Sequence, residues 1–173
     1  RLYGERALQQ FRQAHVCIIG IGGVGSWTAE ALARTAIGQL TLIDMDHVAE
    51  SNINRQLPAL SETLGMAKVQ VMAERIRQIN PACRVHTIEE FLTTSNIDTL
   101  LAEHYDFVID CIDNFRIKAA LIAHCKRNRI RLVTVGGAGG QVDPTRIRVV
   151  DLSRTEHDAL FSKTRKLLRS DYG

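Results

Sequence analysis

Along this chain, short unbroken apolar runs alternate with longer stretches in which apolar residues recur every three or four positions. The runs lie at 15–20, 39–44, 83–88, 105–110 and 131–136, and they are rich in Val, Ile, Leu or Phe. Brief continuous runs of this kind suit strands covered on both faces, as in a parallel sheet. A later run at 146–151 predicts a sixth strand. Helical spacing predicts helices over about 24–36, 66–79 and 114–128. In the second of these, Val69, Met72, Ile76 and Ile79 share one face, and Asn80-Pro81 stops the helix. Residues 93–102 fit a further short helix, whereas 61–65 lack periodicity and lead into the second helix. Alternation of strand and helix predicts an α/β fold: a mostly parallel sheet with helices on both faces, and an antiparallel strand late in the chain. No repeat or low-complexity linker interrupts the pattern, so residues 1–173 are expected to form a single domain.

Composition narrows the class. With 173 residues, 45% hydrophobic and 24% charged, the chain can bury one sizeable core. Its longest apolar stretch, VCIIGIGGVG, is too short to span a membrane. There is no leader pattern. The chain opens on Arg1 without Met and ends on SDYG, so both true termini, including a C-terminal part of the full protein, are expected to lie outside it. Cys17, Cys83, Cys111 and Cys125 show no C-x-x-C spacing, which argues against a zinc ribbon or a disulfide framework and for free thiols in a reducing cytoplasm. The net charge of +3 is small but uneven. KRNRIR (126–131), TRIR (145–148) and SKTRKLLRS (162–170) crowd basic residues into the last third. That is either a solvated face or a surface for a polyanion such as RNA.

Candidate chemistry begins at HVCIIGIGGVGSWTAEAL (15–32), where a strand runs into glycines and then into a helix. Gly20, Gly22 and Gly25 satisfy G-x-G-x-x-G, with Gly23 and Ser26 in excess of it. Such a turn is tight, brings backbone close to phosphate and aims helix N-terminal amides at an anion, so the fold is expected to be Rossmann-like. The bland alternative is a turn that merely packs a helix. Asp44, at the end of the second strand, can reach a ribose hydroxyl in either a dinucleotide or an ATP site. Asp46 is either a helix cap or a loop-orienting residue. The loop from 45 to 65 is long for a βα connection, and long loops on this edge tend to be functional. It carries Asn52 and Arg55 in SNINRQ and delivers Lys68 in GMAK. Arg and Lys there would neutralise charge building on a cleaved triphosphate, although each alone can be a solvated residue, and Asn52 can simply cap a turn. In VIDCIDN (108–114), Asp110 and Asp113 can hold Mg²⁺ against phosphates; otherwise Asp113 caps a helix and Asp110 pairs with a base. A second glycine-dense turn follows at 135–144. No P-loop motif occurs.

Taken together and in this order, Gly-x-Gly-Gly-x-Gly-Ser, LIDMD, SNINRQ, GMAK and DCIDN resemble the ubiquitin-activating-enzyme-like superfamily over essentially the whole chain. The resemblance implies an adenylation domain that uses ATP and Mg²⁺. It places Gly23, with Gly20, Gly22 and Gly25, at the phosphates and Asp44 at the ribose. Ser51, Asn52, Ile53, Asn54 and Arg55 would contact the ribose and phosphates. Lys68 would lie along the phosphates, and Asp113 would hold the magnesium with Asn114 beside it. Arg55, Lys68 and Asp113 become the catalytic residues, joined by Arg1 reaching the partner subunit's nucleotide in a homodimer.

Within the superfamily, RLYGERAL, MAERIRQINPACRV, KAALIAHCKRN and TVGGAGGQVDPTRIRVVDLSRT look most like the bacterial dehydratases that act on threonylcarbamoyladenosine in tRNA. That implies ATP-dependent cyclisation of the modified adenosine next to the anticodon. Adenylation would turn a poor electrophile, the threonyl carboxylate, into an acyl-adenylate, and a tethered atom would close the ring. No enzyme nucleophile is required, and Cys111 is read as packing. Of His15, His47, His86, His104, His124 and His157, His47 alone is near the site in sequence. Arg165, Lys166 and Arg169 are read as contacts to tRNA phosphates. A sulfur-relay protein is a partner the sequence leaves open. The rival readings are adenylation of a sulfur-carrier protein, an NAD-dependent oxidoreductase and a non-catalytic nucleotide-binding scaffold.

Overall fold

The computed structural model describes residues 2–173. Five strands, β1 (His15–Ile19), β2 (Gln39–Ile43), β3 (Arg84–Ile88), β4 (Phe107–Asp110) and β5 (Leu132–Thr134), form one parallel sheet in the order β3-β2-β1-β4-β5. The helices are α1 (Gly4–Gln13), α2 (Gly25–Arg34), α3 (Lys68–Ile79), α4 (Ile97–Leu100), α5 (Phe115–Arg127) and α6 (Ala159–Leu167). None is long and apolar enough to cross a membrane.

The continuous apolar runs are explained by two-sided burial. Along β1, Val16 and Ile18 enter one cluster with Leu40, Leu42, Val69, Met72 and Ile76, beneath α2 and α3. Cys17 and Ile19 point the other way and pack with Val108, Leu101, Tyr105 and Leu121, beneath α4 and α5. Successive side chains on a strand alternate faces, so a strand sandwiched between helices must be apolar throughout. Because β2 lies on one side of β1 and β4 on the other, the chain reverses its order at β1. In open sheets of this kind, ligands bind in the crevice opened at the carboxyl ends of such a pair.

Several elements depart from the expected pattern. Residues 147–150 form no strand. Ile147 and Val149 remain 80% and 94% exposed. An apolar run becomes a strand only where another edge accepts its ladder, and within the described residues none does. The short helix expected over 93–102 contracts to α4. Two helices, α1 and α6, were not expected. The first buries no side chain and the second buries only Phe161 and Thr164.

Two charged groups bind the layers together. Glu30 of α2 accepts hydrogen bonds from Arg34 at 2.7 and 2.9 Å and from Arg75 of α3 at 2.5 and 3.2 Å. The Arg75 guanidinium, helped by Arg34, holds the Glu30 carboxyl below the usual carboxylate range. At the end of β4, Asp110 and Lys118 of α5 are both fully buried and 2.7 Å apart. Thr134 of β5 donates to the same Asp110 oxygen at 2.6 Å, and the Ile112 amide donates to the other at 2.9 Å. Removing one partner of a buried pair strands a charge, which typically costs about 3–5 kcal/mol. Lys118→Met is therefore expected to lose stability on that scale in chemical denaturation, and a loss below about 1 kcal/mol would show that Thr134 and Ile112 suffice for Asp110.

Candidate active site

Three loops meet at the carboxyl edge of β1, β2 and β4. The first is the glycine turn between β1 and α2. Gly20 has φ +89°, and a side chain there would come within 3.1 Å of the Cys111 carbonyl group. At Gly25 a Cβ would fall 1.8 Å from the Gly20 carbonyl oxygen, so α2 begins directly against the end of β1. Gly23 faces the stem of Arg55, whose Cγ would be 3.2 Å from a Cβ. Gly22 is roomier, with only the Gln56 Nε2 atom at 3.8 Å. Among the described residues, the amides of Gly22, Gly23, Val24 and Gly25 donate to no protein acceptor. They are the unpaired N–H groups of a helix start, which favour an anion. Ser26 turns inward: its hydroxyl donates to the Gly22 carbonyl at 2.6 Å and accepts from the Leu57 amide at 3.3 Å.

The second loop follows β2. Asp44 accepts from the Ile21 amide at 2.5 Å with one oxygen and from the Asp46 amide at 2.8 Å with the other, so this carboxylate ties the glycine turn to its own loop. Each oxygen keeps a second lone pair for a hydroxyl donor. Asp46 is the loop-orienting residue. Its Oδ2 lies 2.9 Å from Lys68 Nζ, and its carbonyl accepts from the Lys68 amide at 3.0 Å. The Lys68 side chain is only 6% exposed although it starts α3, and Asp46 is the one partner its ammonium has among the described residues. Two of its three donor directions remain for an incoming anion. A bridge between His47 and Ala67 closes the loop, and His47 faces Glu89 at 3.4 Å.

Asn52 is buried and takes the turn-building role: its side chain accepts from the Ala49 amide, and its carbonyl accepts from Arg55 and Gln56. Ser51, Ile53, Asn54 and Arg55 are exposed. Arg55 donates to the Ser51 carbonyl and to Asn54 Oδ1, and its own carbonyl is held by the Trp27 indole at 3.0 Å. Sequence reasoning passed over Gln56, which is buried beside Gly22 with an unpartnered amide oxygen. Its position directly after Arg55 was the available signal.

The third loop, 111–114, follows β4 and resolves the two acids. Asp110 is the buried partner of Lys118 and is not free for a metal. Asn114 caps α5 by accepting from the Arg116 and Ile117 amides, which leaves the exposed Asp113 carboxylate without a hydrogen bond or ion pair among the described residues. No group of three or more His, Cys, Asp or Glu converges among those residues. A single free acid beside a phosphate cradle suits Mg²⁺, which commonly binds through one or two carboxylates and substrate phosphates. Burial pushes the Cys111 thiol up to about 12, unlike a nucleophile.

Farther away, Arg165 points inward and donates to the Thr155 carbonyl and hydroxyl, whereas Lys166 and Arg169 are exposed. Arg1 lies outside the described residues.

The glycines make separable predictions. Gly25→Ala would drive a methyl into the Gly20 carbonyl and is expected to unfold the turn, with a large drop in melting temperature. Gly22→Ala is expected to change stability by less than about 1 kcal/mol while weakening ATP binding measured by calorimetry, because the methyl would enter the cradle. Unchanged ATP affinity in Gly22→Ala would remove that turn from the nucleotide site.

Comparison with known proteins shows the family. The chain is 60% identical over its whole length to tRNA threonylcarbamoyladenosine dehydratase of Escherichia coli K12, of which it covers 65%. It is 57% identical to the enzyme of the same name from Haemophilus influenzae, covering 99% of this chain and 66% of the relative. The chain thus spans just under two thirds of the length of these relatives. A crystal structure of the E. coli dehydratase in complex with ATP superposes on the whole chain with a TM-score of 0.99, and the chain covers 71% of it. The model of the ThiF family matches residues 1–167, so with its glycine turn, Arg55, Lys68 and Asp113 on one sheet edge this chain belongs to the ThiF family.

Proposed function

We propose that this chain is the nucleotide-binding adenylation domain of an ATP-dependent dehydratase that cyclises N6-threonylcarbamoyladenosine in tRNA, acting in the cytoplasm as a homodimer. The observation that carries the reading is Arg55 packed beside Gly23 at the turn of unpaired amides, with Lys68, held by Asp46, and the free Asp113 carboxylate on the same edge. A dinucleotide retained for hydride transfer does not call for such cations, whereas cleavage of a triphosphate does. The whole-length similarity to enzymes named for this reaction supports the choice of substrate.

In this mechanism the amides of Gly22 to Gly25 bind phosphate oxygens, and Asp44 accepts from a ribose hydroxyl. Asp113 would hold Mg²⁺, which when bound supplies charge neutralisation on the phosphates. The threonyl carboxylate attacks the α-phosphorus, the bond to the bridging oxygen breaks, and pyrophosphate departs with the electron pair. Lys68 and Arg55 balance the charge that grows on the phosphates during that step. Ring closure then expels AMP, so the nucleoside loses the elements of water. The attacking atom is tethered within the same modification, so the buried cysteines have no part. Asp46 holds the Lys68 ammonium in position until phosphate competes for it.

Incubation of the intact protein with ATP, Mg²⁺ and tRNA bearing the threonylcarbamoyl group should yield a nucleoside lighter by one water in mass spectrometry. Lys68→Ala and Asp113→Asn should each lower turnover by about 100-fold or more while the fold is retained. Transfer of AMP to a small carrier protein with tRNA unaltered would overturn the reading in favour of carrier activation.

A further inference from the structure

The residue after the Asn114 cap is Phe115, the first of α5 and two positions from Asp113. Its ring is half-buried, and cations approach it from two helices. The Arg116 guanidinium lies 4.9 Å from the ring centroid, and Lys163 Nζ of α6 lies 5.9 Å from it. Beside the ring is a groove of about 410 Å³ lined by Phe115, Lys163, Lys166, Leu167 and Ser170.

No carboxylate of the described residues pairs with these cations. Among the described residues, Arg116, Lys163 and Lys166 form no ion pair, whereas Arg34, Arg75, Lys68 and Lys118 each have a carboxylate partner. The carboxylates flanking α6 are already engaged. Asp158 accepts from the Gly137 and Phe161 amides, and Asp171 accepts from the Ser170 hydroxyl. Two like charges at one aromatic ring and a third, Lys166, along the same groove repel one another unless a polyanion joins them. An isolated small anion would satisfy the lysines but leave the ring without a role. Single-stranded nucleic acid supplies both elements, phosphates along a backbone and flat bases that stack on aromatic rings.

We propose that this groove is a subsite for single-stranded RNA, in which the Phe115 ring stacks on a base beside the modified adenosine while Lys163 and Lys166 hold backbone phosphates. The inference rests on the function proposed above. The chain sequence Asp113-Asn114-Phe115 ties the stacking platform directly to the adenylation edge, so a nucleotide stacked there keeps its neighbour's carboxylate close to the α-phosphate. The trio expected from sequence is thereby revised: Lys166 stays, Arg165 is committed to its own fold, and Phe115, Arg116 and Lys163 are added.

The test is fluorescence anisotropy of the intact protein with a labelled anticodon stem-loop RNA over a series of salt concentrations. For Lys163→Ala/Lys166→Ala, the slope of log affinity against log salt should fall by about 1.4, the value for two lost single-strand phosphate contacts. Phe115→Leu, which keeps apolar volume but lacks a π face, should bind about tenfold more weakly, and Phe115→Tyr should bind like the parent. ATP affinity of the lysine variant should be unchanged. An unaltered salt slope, a Phe115→Leu variant as tight as the parent, or no RNA binding by the parent protein each overturns the subsite. If the parent dehydrates modified tRNA but the groove variants bind RNA normally, the subsite fails and the proposed reaction stands. If the variants lose RNA as expected but the parent never dehydrates it, the subsite stands and the reaction fails.

Discussion

The close approach of Gly25 to the Gly20 carbonyl is the constraint on which the candidate site depends. With no side chain at either position, α2 can start against the end of β1 and point its unpaired amides into the crevice between β1 and β4. The same economy of space lets the Cys111 carbonyl abut Gly20, which sets the 111–114 loop beside the glycine turn. Any Cβ at Gly25 would separate strand from helix, and the three loops would no longer share an edge.

Around that contact, the carboxylates divide their work by burial. Asp44 ties the loop after β2 to the glycine turn, and Asp46 holds Lys68. Asp110 anchors β4, α5 and β5 from inside the sheet. Each accepts hydrogen bonds that fix its position, and Asp44 keeps a second lone pair on each oxygen for a hydroxyl donor. Asp113 differs because Asn114 has taken the helix-capping role that an acid in that loop could otherwise fill. The cation Lys68, although buried, is likewise underused, with one partner among the described residues for three donor directions. The proposed binding and release of a highly charged substrate needs groups in that condition, positioned by the fold and not consumed by it.

Much of the fold was legible because the sheet is covered on both faces. Unbroken apolar runs such as VCII and FVID leave few alternatives, and the bounds of the five strands fall close to those read from pattern alone. Legibility failed where burial is slight or pairing is long-range. The helix α1 fully buries no side chain, and only Ala7, Leu8 and Phe11 are partly covered, so it carries no long apolar run to read. The run at 146–151 has strand-like composition, but a ladder needs a neighbour, and composition does not supply one. At the site, the residue types were legible while their roles were split by packing. Asn52 and Ser26 proved to be builders of the turn, and Arg165 was drawn inward by the Thr155 carbonyl.

The sequence by itself determined the class of chemistry. Glycines at fixed spacing after an apolar run, followed by Arg55, Lys68 and Asp113, point to a phosphate site through residue type and order, because backbone freedom and side-chain charge are local properties. Only the tertiary structure decided which of these groups remain available. Whether Asp110 or Asp113 is free, whether Lys68 is solvated or buried, and whether Phe115 lies alone or between cations from two helices all depend on residues distant in the chain. Hydrogen bonding and desolvation are satisfied between elements, and no local pattern records which partner is reached first.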